Sequence, residues 1–165
     1  MVVTRKKDGS PRRTVDLSPL NKFCLREAHS SRSPFQLARS VPHHANKSVF
    51  DAWNGYHSVP LREEDRKYTT FTTPWGLFRY KRAPQGFLSS GDAYNRRLDD
   101  ITSHVVRLER CVDDNLLHDV GEMEEHWWRT IEFLELDDKN GVVFKYEKLQ
   151  FYKPVVDFPG FRISY

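Results

Sequence analysis

The sequence predicts an α+β domain in which helices pack on one face of an antiparallel sheet. Three observations carry this. Asp8-Gly9 lies between two alternating runs, a strong short-range hairpin signal. Short runs rich in β-branched and aromatic residues, at 49–53, 68–73 and 77–81 and again within 142–158, are cut by Gly and Pro turns. Two longer stretches repeat apolar residues at helical spacing.

Taken in order, residues 2–4 and 12–17 form the arms of the first hairpin. Its tip and return strand hold Arg5, Lys6, Lys7, Arg12 and Arg13 against Asp8 alone. Residues 29–45 are polar, carry Pro34 and Pro42, and read as loop with one short helix over 35–39. Residues 49–53 form a strand that Asn54-Gly55 ends. Residues 68–73 and 77–81 pair across a turn at Pro74-Trp75-Gly76. Residues 89–92 then open a helix with a capping serine and an acidic first turn. Tyr94, Leu98, Ile101, Val105 and Leu108 give that helix one buried face. Residues 108–117 read as two strands joined by a tight hairpin at Asp113-Asp114. A second helix spans 122–136, with Trp127, Ile131 and Leu134 on its apolar face and Trp127 and Trp128 as core and rim packing. Asn140-Gly141 stops it, and 142–144, 149–151 and 155–158 are short strands before a Pro159-Gly160 turn.

The 165 residues suffice for about one domain with a substantial core. No apolar run is long enough to span a bilayer, and the first residues lack the order of a signal peptide. Cys24 and Cys111 are too few and too isolated for a zinc site or a disulfide framework, so a reducing compartment is expected. The net charge of +3 is unevenly spread, with a basic N-terminal hairpin and acidic stretches at 122–125 and 132–138. That pattern suits either a localised phosphate-binding surface on a nearly neutral body or an ordinary solvated turn, and charge alone favours the solvated turn. The seven histidines show no metal-ligand spacing.

Asp113 and Asp114 carry the most chemical information. An Asp-Asp pair alone is ordinarily a solvated turn, but this one is flanked by strand formers, and Asp51 sits in a second strand. Two adjacent strands would bring three carboxylates to one end of a sheet. Like charges so placed repel, and a pair of divalent cations with hard oxygen ligands accounts for the crowding. The chemistry such a site serves is two-metal nucleotidyl transfer.

Five blocks in order carry a family resemblance. They are residues 15–22 (Val-Asp-Leu-Ser-Pro-Leu-Asn-Lys), 50–61 around Asp51, 83–87 (Ala-Pro-Gln-Gly-Phe), 111–114 (Cys-Val-Asp-Asp) and 156–164 around Phe158-Pro159-Gly160. Together the chain resembles the fingers and palm of the reverse transcriptase in a gypsy-type LTR retrotransposon polyprotein. The resemblance implies an antiparallel palm sheet with helices on one face plus a β-hairpin fingers part. Fingers would cover about 1–48 and 62–82, and palm 49–61 and 83–165. It implies that Asp51 and Asp113 hold two Mg²⁺ ions (Mn²⁺ being the substitute) and that Asp114 supports the ion activating the primer 3′-hydroxyl. Lys6 or Lys7 with Arg12 would meet the triphosphate, Ala52 would offer its carbonyl, Tyr56 would exclude a 2′-hydroxyl, and Gln85 would contact the incoming sugar. Cys111, Val112, Phe158, Pro159 and Gly160 would line the primer. Partners would be an RNA or DNA template with primer, and dNTPs, with no membrane. The expected setting is cytoplasmic, in a retroelement particle, with the nucleus as the alternative.

Two departures temper the match. Cys111 replaces the family's usual aromatic, which loses a packing contact but no metal ligand. The match also starts inside the fingers and stops at the primer hairpin, with thumb, RNase H and integrase parts expected to be missing and template–primer binding expected to be weak. Two other function classes follow: a truncated, non-catalytic remnant that at most binds nucleic acid, and a metal-dependent nuclease. The nuclease leaves Tyr56, Gln85 and the basic hairpin unexplained.

Overall fold

The computed structural model describes residues 2–5, 9–53 and 55–164. Their contacts divide the chain into two units, residues 1–29 with 56–94 and residues 30–55 with 95–165. These boundaries differ from the expected fingers and palm limits. Residues 30–48 belong with the strand that carries Asp51, and residues 83–94 belong with the N-terminal unit.

In the first unit β1 (Val2–Arg5) pairs antiparallel with β2 (Pro11–Thr14), as Asp8-Gly9 predicts. Gly9 has φ +82, where a side chain would be strained. A four-residue helix α1 (Ser18–Asn21) follows. The expected strand over 68–73 begins late, because a 3₁₀ helix spans Glu63–Thr69. Its three acids lie in the first turn and Arg66 and Lys67 in the last, matching the helix dipole. Thr69 and Thr70 hydroxyls donate back to the Arg66 and Lys67 carbonyls at 2.7 and 2.6 Å. These β-branched residues therefore close a helix instead of extending a strand. The hairpin β4 (Phe71–Thr73) and β5 (Gly76–Phe78) follows, its second strand stopping short of the expected 81.

In the second unit, α2 (Pro34–Ser40) starts with a capping box between Ser33 and Gln36 and with Pro at the first position. The sheet has strand order β6-β7-β3-β8, all antiparallel, from β3 (Asn46–Asp51), β6 (Leu108–Cys111), β7 (Asp114–Asp119) and β8 (Gln150–Lys153). Val49 and Leu116 face one side and join Leu37, Val41, Val156, Phe158 and Ile163 in a core beneath α2 and the hairpin β9 (Val156–Phe158) and β10 (Phe161–Ile163). Phe50 and Leu117 face the other side, against Phe133 of α4 (Met123–Lys139). The α+β class and antiparallel sheet stand, with α4 on one face and α2 plus a hairpin on the other. Coverage on both faces explains why β3 is buried from Lys47 to Asp51.

Three expectations need correction. The helix α3 (Ser90–Thr102) ends before Val105 and Leu108. A turn with Arg107 at φ +61 intervenes, and Leu108 opens β6, although both side chains still pack on the Phe50 cluster. Residues 142–144 form no strand, only a single bridge from Phe144 to Ala52. The buried face of α4 is His126, Thr130, Phe133 and Asp137, whereas Trp127 and Trp128 are 46% and 63% exposed. Polar anchors displaced the tryptophans. His126 Nδ1 meets Asp119 Oδ2 at 3.0 Å, and Ser48 Oγ donates to His126 Nε2 at 2.7 Å while accepting from the Tyr152 amide at 2.9 Å. Asp119 also pairs with Arg107 at 2.7 Å and with Arg129.

Candidate active site

Strand register creates the acidic site. On β3 and β7, Asp51 lies directly opposite Asp114, so both side chains project to the same face as Val49 and Leu116. Cys111 lies opposite Asp114 on its other side, leaving Val112 and Asp113 as a two-residue hairpin loop. Val112 carries φ +55, a left-handed conformation that costs a β-branched residue, and is 38% exposed. The Ala52 amide donates to the Asp113 carbonyl at 2.7 Å, which ties the loop to the end of β3. Ala52 is itself buried, where a larger side chain would not fit without rearrangement.

The electrostatics of the three acids differ. Burial raises the Asp114 carboxyl to about 6, with the charge of Asp51 adding to it. Burial followed by the Asp51 charge also raises Asp113. Burial pushes Asp51 up as well, but hydrogen bonds from Lys145 and Lys148 outweigh it and hold this carboxyl below its ordinary value. Lys148 Nζ donates to Asp51 Oδ2 at 2.6 Å and Lys145 Nζ to Oδ1, while the Lys145 amide donates to the Asp51 carbonyl at 2.9 Å. Asp113 Oδ1 is buried and has no hydrogen-bond partner among the described residues.

The orphaned Asp113 oxygen, beside Asp114 with its raised proton affinity and Asp51 with its ionised carboxylate, is a donor set suited to a hard cation. Among the described residues, no three acidic, histidine or cysteine side chains stand together as a formed metal cluster. The lysines supply the positive charge at Asp51 instead. Sequence reading missed Lys145 and Lys148, which reach Asp51 across 94 and 97 residues and belong to no recognised motif.

The remaining expected residues divide between the two units. In the first, the Tyr56 ring meets Tyr94 edge-on at 5.9 Å. Gln85 is half-buried in a turn whose next residue, Gly86, has φ +92. Asn21 clamps that turn from both sides, its amide donating to the Gly86 carbonyl and its oxygen accepting from the Leu88 amide, each at 2.9 Å. Asn21 lies inside the first motif block, so its position was visible but its role was not. Arg12 sits on β2 opposite Thr4, and Lys6 and Lys7 lie outside the described residues. In the second unit, Phe158 is 2% exposed and committed to the core, so its ring is withdrawn from a primer. Pro159 and Gly160, the latter at φ +80, form the turn between β9 and β10. Cys111 is half-buried against the Leu37 cluster, and burial raises its thiol.

Comparisons with known proteins bear on the fold and the family. A family model described as reverse transcriptase (RNA-dependent DNA polymerase) matches residues 4–163. The enzymatic polyprotein of Cauliflower mosaic virus (strain D/H) is 27% identical over 161 residues, covering 96% of this chain and 24% of that protein. The Transposon Tf2-3 polyprotein of Schizosaccharomyces pombe is 27% identical over 165 residues, covering 96% of this chain and 12% of that protein. The chain thus spans about a quarter or less of these relatives. Among solved structures, a foamy viral protease-reverse transcriptase in complex with ds DNA superposes with a TM-score of 0.92 at 22% identity, over 98% of this chain and 28% of that one. Because the family match runs over nearly the whole chain, this protein belongs to the reverse transcriptase (RNA-dependent DNA polymerase) family.

Proposed function

We propose that this chain carries the nucleotidyl-transfer centre of an RNA-directed DNA polymerase from a gypsy-type retroelement, extending a primer on an RNA or DNA template with dNTPs. The observation that carries the reading is the gathering of Asp51, Asp114 and the loop residue Asp113 at one strand end, with one carboxylate oxygen buried and unpartnered. Asp51 and Asp113 would hold two Mg²⁺ ions and Asp114 one of them. When bound, such ions act as Lewis acids toward the transferring phosphoryl group and its attacking hydroxyl. Lys145 and Lys148 neutralise Asp51 without them and would have to yield that carboxylate. Ala52 keeps the Asp113 loop in place through its amide. Tyr56, backed by Tyr94, offers a ring edge to exclude a 2′-hydroxyl, and Gln85 is presented by the Asn21 clamp. The hairpin cations Lys6, Lys7 and Arg12 would meet the triphosphate and stabilise its leaving charge.

Primer extension on an RNA template with Mg²⁺ and dNTPs, run beside Asp113→Asn, tests the proposal. Extension by the parent and none by the variant supports it. Folded protein with no extension by either favours the non-catalytic remnant.

A further inference from the structure

The outer face of α4 sets apolar side chains among acids. Met123, Trp127, Ile131 and Leu134 follow at spacings of 4, 4 and 3, one stripe along the helix beside its buried face. Met123 is 55% exposed, Trp127 46% and Trp128 63%, while Ile131 and Leu134 are half-buried. Glu122, Glu124, Glu125, Glu132, Glu135 and Asp138 are all exposed along the same helix and its start. The cations of α4 are placed elsewhere, Arg129 on Asp119 and Lys139 in the last turn, where it matches the helix dipole. Indole rings left in solvent forgo the gain of burial, so their display needs a reason.

The display is held in place. The Trp127 ring stands edge-on to Phe151 of β8 at 5.7 Å with 89° between planes, and Phe151 in turn packs on the buried His126 at 5.6 Å. Trp128 lies one helical turn from Glu124 on one side and from Glu132 on the other, so carboxylates flank its ring. An ammonium or guanidinium laid on that ring meets the π-face and a carboxylate together. Nucleic acid and an anionic lipid surface meet repulsion along this helix. A second copy of α4 packed on the stripe, in either direction, sets acids against acids.

We propose that the outer face of α4 docks a partner protein through a segment rich in lysine and arginine that also carries apolar side chains. The apolar residues of that segment cover Met123, Trp127 and Ile131, and its cations reach Trp128, Glu124 and Glu132. Charge complementarity selects the sign of the partner, and the tryptophans, a residue type enriched among interface anchors, supply the contact area. Asp51 and Asp114 point to the sheet face opposite α4, so docking leaves the acidic site open.

Fluorescence anisotropy with two labelled peptides, a leucine–lysine amphipathic helix and its leucine–glutamate counterpart of equal length, tests it on the full chain. The lysine peptide should bind, more weakly as salt rises, and the glutamate peptide should not. Trp128→Ala should weaken that binding by about tenfold. Glu124→Lys combined with Glu132→Lys should reverse the preference between the peptides, a result that apolar stickiness alone does not give. Asp113→Asn should bind the lysine peptide as the parent does, so that failure of extension and failure of this surface are read separately. Equal binding of both peptides, or unchanged binding in Trp128→Ala, overturns the proposal. Self-association in sedimentation or oligonucleotide binding that Trp128→Ala removes also overturns it, in favour of a second copy or a nucleic acid. If Trp128→Ala loses its circular-dichroism signal, the charge-reversed variant carries the comparison.

Discussion

The strand pair β3–β7 carries acids at both ends, and the protein treats the two ends in opposite ways. At one end Asp114 faces Asp51, both with Asp113 nearby, and the protein leaves an oxygen unpaired and two carboxyls with raised proton affinity. At the other end Asp119 faces Asn46 and is fully buried, but Arg107, Arg129 and His126 occupy its oxygens. The sequence Ser48, His126, Asp119 has the bonding order of a hydrolytic triad, yet none of the three is more than 0% exposed. No substrate can reach it. A satisfied acid cluster cements a fold, whereas an unsatisfied one at the mouth of a strand pair keeps charge available for a ligand.

The sharpest way to break this contrast is to remove one acid from each end. Asp119→Ala strands two guanidiniums and a buried imidazole, and losing one partner of such a network costs about 3–5 kcal/mol. That is a large part of the roughly 5–15 kcal/mol holding a typical domain together, so the variant's urea midpoint should fall far below the parent's. Asp113→Asn removes a buried, repelled charge and should unfold at the parent's midpoint or above. Equal destabilisation by both substitutions would mean the two clusters are alike, and the functional reading of the first would lose its basis.

His126 sharpens the contrast through pH. Burial, with a smaller push from His118, depresses its imidazole from 6.5 to about 4. In the neutral ring Nε2 accepts from Ser48, whose oxygen also receives the Tyr152 amide. The unfolded chain takes up a proton below pH 6.5 while the folded chain resists until about 4, so stability falls as pH drops through that window. At about 1.4 kcal/mol per unit the full loss is about 3 kcal/mol. Urea unfolding at neutral pH and near pH 4.5 should show it, and His126→Gln should flatten the slope. An unchanged slope in that variant would assign the acid sensitivity elsewhere.

What could be read from the sequence was local. Asp8-Gly9 predicted its hairpin, residues 35–39 a short helix where α2 lies, and Asp113-Asp114 a hairpin between strands, because turns and short helices are decided by a few neighbouring residues. The opposition of Asp51 and Asp114 followed from recognising two strands. The Lys145–Lys148 clamp and the Ser48–His126 contact did not, since they join residues 94, 97 and 78 apart with no motif between them. The tryptophans of α4 misled for a different reason. Ring size suggested core, but the helical spacing 126, 130, 133, 137 is the buried stripe, and His126 within it is held by Ser48 and Asp119 on other elements. The β-rich composition of 68–73 gave way to hydroxyl capping, a competition that strand propensity alone does not register.

The smallest expected effect compares the cations. Lys148 pairs with Asp51 while its side chain is 59% exposed, and Arg129 pairs with Asp119 at 22% exposed. Solvent screens the first pair, so Lys148→Ala should shift unfolding by about 0–1 kcal/mol. Arg129→Ala leaves the buried Asp119 with one guanidinium fewer and should cost clearly more. Lys145 remains on Asp51 in the Lys148 variant, which keeps that carboxylate from becoming an isolated buried charge. The cations around Asp51 are therefore replaceable and those around Asp119 are not. If Lys148→Ala proved as costly as Arg129→Ala, Lys148 would be a structural partner of Asp51, and a ligand could not draw that carboxylate away without loosening the sheet itself.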